Sequence, residues 1–154
     1  MKGYEMAKVV LMIYRCVFLL KKYHIPIVPE VINKLFVRLL FGCQIGTGAK
    51  LGKGVILGYG GLGVVIHLRA ILGQNVNVGT EVVIGGTSGK YEVPVIGDNT
   101  ILSAGAKIVG PVVIGKNCMI GANAVVLKDI PDNCVAVGIP AKIIKENINI
   151  QGYK

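Results

Sequence analysis

Residues 96–126 read IGDNTILSAGAKIVGPVVIGKNCMIGANAVV, and an aliphatic residue opens each successive group of six. The same period runs from Ile45 to about Ile130 and gives thirteen first places, all of them Ile, Leu or Val. Glycine follows nine of these thirteen residues. The fifth place of each group holds only small or β-branched residues.

A period of six fits neither the 3.6-residue turn of a helix nor the two-residue alternation of a strand. Each unit is therefore a short strand and a turn. Such hexapeptide repeats predict a mainly β fold, a single-stranded left-handed parallel β-helix with three units in each triangular coil. The first-place side chains are predicted to stack inside. The second and fifth places are predicted to lie near the corners, where glycine relieves backbone crowding.

The period is interrupted twice. From Leu57 to Ile66 the spacing is nine, which adds three residues before Ile66. From Ile84 to Ile96 the spacing is twelve, and residues 86–94 are predicted to replace one repeat with a protruding loop. Because function is often carried by loops on a regular scaffold, these breaks are the first places to search for a site.

The predicted organisation has three parts: an N-terminal helical cap (1–41), a β-helix with its loop at 86–94 (42–136), and a C-terminal cap or tail (137–154). Residues 8–22 and 29–41 show helical apolar spacing. Residues 1–41 carry seven basic and two acidic side chains of a chain whose formal net charge is +9. The helices are expected to cover the end of the β-helix, because a stack of coils needs caps. Contact with an anionic membrane surface is the weaker alternative.

Composition excludes several classes of protein. The apolar run near the start is too short to span a bilayer, and no signal-peptide cleavage site follows it. The repeats contain neither a basic run nor interleaved aromatic residues, which excludes nucleic acid as a partner. The four cysteines lack metal-ligand spacing. They are typical of small core residues in a reducing compartment, so the expected location is cytoplasmic.

Four motifs carry a resemblance to a known family: Ile84-Gly-Gly-Thr87, residues 102–108 (LSAGAKI), residues 120–128 (IGANAVVLK) and residues 137–144 (VGIPAKII). Residues 42–145 resemble the hexapeptide-repeat acyltransferases, in the branch of serine acetyltransferases and polysaccharide O-acetyltransferases. The resemblance implies a homotrimer that binds acetyl-CoA, as acyl donor, between neighbouring β-helices. The implied coenzyme contacts are Gly86, Thr87, Ala104, Ala122 and the segment Pro140 to Lys142, with Lys107, Lys128 and Lys142 placed to meet phosphates.

The chain departs from the serine acetyltransferase pattern at the catalytic positions. Gly58 and Tyr59 stand where that family has an Asp-His pair, and Gln44 stands at an earlier acidic position. Glu92 or Val93 takes the place of the loop histidine. The chain therefore lacks the acid–base residues that the resemblance implies for acetylation of serine.

His67 is the candidate general base. It occupies a second place, where glycine is the rule, and follows the three-residue insertion. An imidazole suits proton transfer near neutral pH. Glu92, on the loop, is the first candidate for a carboxylate that orients it from a neighbouring subunit, and Glu81 is the alternative. No metal is expected, because a single histidine within the repeats cannot build the three-histidine zinc site of the β-helical carbonic anhydrases.

These residues predict an acetyl-CoA-dependent O-acetyltransferase that acts on a hydroxyl of a sugar or polysaccharide precursor. A serine O-acetyltransferase and a non-catalytic scaffold are the alternatives. The short helical segment and the missing Asp-His pair favour the sugar.

Overall fold

The computed structural model describes residues 2–23 and 27–153, and the repeats form a left-handed parallel β-helix, which confirms the predicted fold class. Its strands form three sheets. Sheet A contains β1 (Gln44–Ile45), β4 (Val65–Ile66), β7 (Val83–Gly85), β10 (Lys107–Val109) and β13 (Val125–Val126). Sheet B contains β2 (Lys50–Leu51), β5 (Ile71–Leu72), β8 (Val95–Ile96) and β11 (Val113–Ile114). Sheet C contains β3 (Ile56–Leu57), β6 (Asn77–Val78), β9 (Ile101–Leu102), β12 (Met119–Ile120), β14 (Val135–Val137) and β15 (Lys142–Lys145).

The parallel register places each first-place residue opposite its equivalent in the next coil. Ile45 pairs with Ile66, and Ile66 with Ile84. Twelve of the thirteen first-place side chains are at most 2% exposed, whereas Leu51 is partly buried. Each such side chain contributes about 1.5–3 kcal/mol by leaving water. The stack of aliphatic side chains therefore holds the coils together.

The fifth-place residues lie at the corners, as predicted, and their side chains point into the core. Ala49, Ala70, Val76 and Ala124 are fully buried. They are small because they share the narrow interior of the coil with the larger first-place side chains. Ser88 is the exception, because it lies on the exposed loop.

Each coil has three corners, which we name after the sheets they join. The A–B corner comprises residues 46–49, 67–70, 86–94, 110–112 and 127–129. The B–C corner comprises residues 52–55, 73–76, 97–100, 115–118 and 131–134. The C–A corner comprises residues 58–64, 79–82, 103–106 and 121–124.

The loop at residues 86–94 is an insertion and does not replace a repeat. It joins β7 of sheet A directly to β8 of sheet B, so the third coil keeps all three sides. The prediction that one repeat is lost was wrong, because the twelve-residue spacing contains one ordinary corner plus six added residues. The three residues added before Ile66 enlarge the C–A corner of the first coil.

Helices cover the first coil. Helix α1 spans Lys2–Lys22 and begins before the predicted segment, and α2 (Val28–Ile32) continues as a π-helix over Asn33–Leu40. The hydroxyl of Tyr14 lies 2.9 Å from the carbonyl oxygen of Gly46 and 2.7 Å from that of Ala49. Burial raises the pKa of Tyr14, so the hydroxyl stays a donor to these carbonyls. The predicted cover is thus provided within one chain.

At the other end, β15 pairs antiparallel with β14 and closes sheet C. A short 3-10 helix, Ile150–Tyr153, buries Ile150. The three-part division at residues 41 and 136 stays a prediction. Within the described residues, the structure contains no helix of the length and hydrophobicity needed to cross a membrane.

Candidate functional site

His67 lies at the A–B corner, half-buried beside the start of the loop. A methyl group placed on Gly86 would lie 3.7 Å from both Nε2 and Cδ2 of His67, and 3.3 Å from Cγ1 of Val93. The imidazole therefore lies close beside Gly86, at a distance that a methyl group would meet as an ordinary van der Waals contact. The second coil thus has a histidine at a second place of the repeat, at the point where the next coil leaves its corner for the loop.

The imidazole accepts a hydrogen bond at Nδ1 from the backbone N–H of Arg69, at 3.2 Å. A neutral ring that accepts at Nδ1 carries its proton on Nε2 and donates from there. To take a proton at Nε2, the ring must adopt the other tautomer and give up the bond from Arg69. The described geometry therefore suits a hydrogen-bond donor directly, and a general base after this change.

The pKa of His67 is lowered, first by burial and second by the positive charge of Arg69. Both effects disfavour the imidazolium, so the ring is neutral at pH 7. Within the described part of the chain, no carboxylate forms an ion pair or hydrogen bond with the ring. A neutral imidazole is the form that proton abstraction requires.

Arg69 reaches from its corner onto the tip of the loop. Its Nε and Nη2 atoms donate to the carbonyl oxygen of Tyr91 at 3.1 and 2.6 Å. Its guanidinium carbon lies 4.3 Å from the centre of the Tyr91 ring. Sequence reasoning missed this pair; the available signal was an arginine two residues after His67 and an aromatic residue on the loop.

Glu92 is exposed on the loop and makes no hydrogen bond to His67 among the described residues. Its predicted role as the orienting carboxylate requires a neighbouring subunit and stays a prediction. Tyr59 is 80% exposed and lies at the C–A corner beside α1. His24 lies outside the described residues.

The structure divides the predicted coenzyme contacts between two edges of one chain. Gly86, Thr87 and Lys128 lie on the A–B corner, whereas Ala104 and Ala122 are exposed on the C–A corner. Sheet A separates these edges.

The remaining predicted contacts are two lysines and the segment that leads into β15. Lys107 lies on sheet A, and its Nζ donates to the carbonyl oxygen of Glu81 at 2.6 Å. Pro140 and Lys142 are exposed near the C-terminal end. A single chain therefore does not gather the predicted contacts around His67.

No group of three or more His, Cys, Asp or Glu side chains that could hold a metal ion occurs within residues 2–23 and 27–153. Three cavities of the described chain lie between α1 and the β-helix, lined by residues such as Tyr14, Phe18 and Val55. His67 lines none of them.

Comparisons with known proteins agree with the repeats. Residues 94–128 match the family described as Bacterial transferase hexapeptide (six repeats). The chain is 40% identical to the serine acetyltransferase of Synechococcus elongatus over 137 residues, which are 87% of this chain and 55% of that protein. It thus spans little more than half of that relative.

Two further comparisons cover the helical segment as well as the repeats. A solved serine acetyltransferase in complex with CoA superposes with a TM-score of 0.80 and 28% identity, covering 88% of this chain and 55% of that one. The serine acetyltransferase of Helicobacter pylori is 36% identical over 140 residues, which are 89% of this chain and 80% of that protein. With four fifths of that relative matched, the chain belongs to the serine acetyltransferase family of hexapeptide-repeat transferases.

Proposed function

We propose that the protein is an acetyl-CoA-dependent O-acetyltransferase in which His67 takes the proton of the acceptor hydroxyl. The observation that carries this proposal is the neutral, half-buried imidazole at a broken corner of the β-helix, with its Nε2 edge beside Gly86. Family membership supports it, since a related serine acetyltransferase has been solved in complex with CoA.

Acetyl-CoA supplies an acetyl thioester, whose acyl group passes to the acceptor oxygen with release of the thiol. Gly86 and Thr87 begin the loop and offer backbone amides without bulky side chains. Lys128 and Lys142 are exposed and free to meet phosphates. Lys107 is the weaker candidate, because its ammonium already donates to the carbonyl oxygen of Glu81.

A homotrimer is part of the proposal. The predicted contacts lie on two edges of one chain, and a groove between chains would join the A–B corner of one subunit to the C–A corner of the next. Closed rings with repeated interfaces are the usual form of homo-oligomers. Light scattering on the purified protein measures this directly, and a monomer that turns over substrate would contradict the shared groove.

Serine is the first acceptor to test, because the relatives named above are serine acetyltransferases. The comparisons thus favour the alternative acceptor over the sugar that the sequence analysis preferred. The sugar hydroxyl stays the second candidate on one specific observation: Gly58 and Tyr59, and not an acid–base pair, occupy the enlarged C–A corner of the first coil, and Tyr59 is exposed there.

The experiment measures release of free CoA from acetyl-CoA with serine, nucleotide sugars and lipid-linked sugars as acceptors. We expect H67A to lower acceptor-dependent turnover by about 100-fold or more, because general-base catalysis contributes that much. The trimer and the melting temperature should stay unchanged. Unchanged turnover in H67A would contradict the proposal.

H67N separates two roles of the ring, because an amide can donate a hydrogen bond but cannot accept the proton of a hydroxyl. A base predicts that H67N is as inactive as H67A. Recovery of most of the wild-type turnover in H67N would show that His67 donates from Nε2 instead. Calorimetry with acetyl-CoA tests the remaining alternative, since absence of binding would indicate a non-catalytic scaffold.

A further inference from the structure

Arg69 touches both halves of the candidate site. Its backbone N–H donates to Nδ1 of His67 at 3.2 Å. Its guanidinium donates twice to the carbonyl oxygen of Tyr91 and stacks on the ring of the same residue. The arginine is half-buried, although Tyr91 is 75% exposed. One residue of the second coil therefore connects the imidazole to the loop of the third coil.

The tip of the loop has few other contacts. Residues 87–92 are exposed, and the structure shows one further hydrogen bond there, from the Lys90 N–H to the carbonyl oxygen of Thr87 at 3.2 Å. The loop is anchored beyond its tip, where Val93 and Pro94 are buried. An exposed tip without a long-range contact is mobile in most proteins. Two donors from one charged group, together with stacking, supply that contact.

We propose that Arg69 is a positioning residue whose guanidinium holds the loop tip against the A–B corner, beside His67. A guanidinium is suited to this task because its planar fork donates two bonds to one acceptor while its face stacks on an aromatic ring. The ordering of the loop does not depend on the reaction. The effect on turnover rests on the function proposed above.

Cleavage by trypsin after Lys90 tests the ordering of the loop, since the bond from Lys90 to Tyr91 adjoins the carbonyl that Arg69 holds. We expect R69M to be cut there about tenfold faster than wild type, because the two charge-assisted hydrogen bonds are lost. R69K should lie between them, since an ammonium cannot form the same fork. Mass spectrometry identifies the cut, and cuts elsewhere report on the rest of the fold.

K53M is the matched control, because Lys53 is an exposed cation at the B–C corner, away from the loop. Cleavage after Lys90 should stay at the wild-type rate in K53M. If R69M unfolds and is cut everywhere, R69Q tests the same contact, because an uncharged amide of similar polarity cannot form the two charge-assisted hydrogen bonds to the Tyr91 carbonyl oxygen, and it should also be cut faster after Lys90. A wild-type rate in folded R69M, or in R69Q when R69M unfolds, would overturn the proposal.

The titration of His67 gives a readout that a purely structural role would not move. Burial is the first cause that lowers the pKa of the ring, and the charge of Arg69 is the second; the loop contributes Gly86 and Val93 beside it. In an H24Q background, the NMR titration midpoint of His67 should rise in R69M and stay near wild type in R69K. A midpoint that is unchanged in R69M would show that Arg69 does not act on the ring.

Turnover completes the test. We expect kcat/KM for the acceptor to fall about tenfold in R69M, with partial rescue by R69K, because a displaced loop misplaces the reacting groups. If cleavage and titration change as expected while wild type shows no transferase activity, the positioning role stands and the proposed function fails. If wild type is active and folded R69M keeps its full kcat/KM, the link between loop position and turnover is refuted.

Discussion

The A–B and B–C corners are built from the same repeat, but the B–C corner keeps it regular and the A–B corner interrupts it. At the B–C corner, Asn75, Asn99, Asn117 and Asn133 occupy equivalent positions with φ between 54° and 59°. Their side chains form a ladder in which each amide nitrogen donates to the next amide oxygen, at 3.2, 3.2 and 3.0 Å. Asparagine suits this position because it tolerates the left-handed region better than most residues.

The A–B corner has no such ladder among the described residues. Its second coil carries His67 and Arg69, and its third coil carries the inserted loop. Neighbouring coils therefore differ from each other at the A–B corner, and the contacts of His67 and Arg69 occur in one coil each. The comparison indicates that the B–C corner contributes stability through a contact repeated in successive coils. The interrupted A–B corner instead presents a side chain that is available for chemistry.

The largest expected effect compares one glycine from each corner. A methyl group on Gly97, at the B–C corner, would lie 2.5 Å from the backbone carbon of Gly115. We expect G97A to destabilise the fold by about 3 kcal/mol or more, because backbone atoms cannot move aside without separating two coils. Urea unfolding followed by circular dichroism measures the change in the free energy of unfolding.

G86A is the counterpart at the A–B corner. Its methyl group meets a side-chain atom of Val93 at 3.3 Å, and no backbone atom lies as close, so a shift of that side chain relieves the contact. We expect a loss of about 1 kcal/mol or less in the free energy of unfolding, together with reduced turnover, because the methyl group lies beside Nε2 of His67. Equal destabilisation by G97A and G86A would show that the two corners do not differ in this way.

The sequence predicted the β-helix because its signal is local and repeated. Every repeat begins with an aliphatic residue. The parallel register follows because these residues stack on one another in successive coils, as Ile66 and Ile84 do. The direction of the fifth-place side chains was missed, because smallness is compatible with both a corner and a crowded interior. The Asn ladder was missed as well, although Gly-x-Asn recurs at residues 73–75, 97–99 and 115–117.

The site was predicted only in part. His67 was identified from the sequence because it occupies a second place of the repeat, where most repeats have glycine. The contact between Arg69 and Tyr91 joins residues 22 positions apart through a loop of irregular conformation, and no period in the sequence encodes it. The coenzyme contacts inferred from the resemblance lie on separate edges of one chain. Their meeting depends on how chains assemble, which a single sequence does not specify.

A smaller effect is expected from breaking the Asn ladder at its middle. Asn99 accepts from Asn75 and donates to Asn117, with φ of 58°. N99A should cost about 2 kcal/mol, because alanine is strained in the left-handed region and both side-chain bonds are lost. N99G removes the same bonds without the strain, so it should cost about 1 kcal/mol less than N99A. Transferase activity should be unchanged in both variants.

Thermal and urea unfolding compare the two variants with wild type. If N99G were as unstable as N99A, the loss would come from the side-chain ladder alone and the backbone strain would be irrelevant. If either variant lost activity while folded, the ladder would not be separate from the site, and the contrast between the corners would fail.

The smallest expected effect is that pH changes stability through the B–C corner and turnover through the A–B corner, in different pH ranges. At the B–C corner, the Gln74 N–H donates to Oδ1 of Asp98 at 2.8 Å, and Lys116 lies 3.4 Å from Oδ2. These contacts hold the pKa of Asp98 below its ordinary value of 3.8. Because the folded pKa is depressed, the stabilisation by Asp98 is present above pH 3.8 and is lost as the pH falls through the folded pKa.

At the A–B corner, burial and then the charge of Arg69 lower the pKa of His67 below 6.5. The fraction of neutral ring, and with it kcat/KM, should therefore stay high somewhat below pH 6.5 and decline at more acid pH. D98N should change the free energy of unfolding at pH 7 but leave the acid limb of kcat/KM in place, since Asp98 lies on another edge. A shift of that limb in D98N would mean that the ladder corner and the site titrate together, and that stability and chemistry are not divided between the two edges.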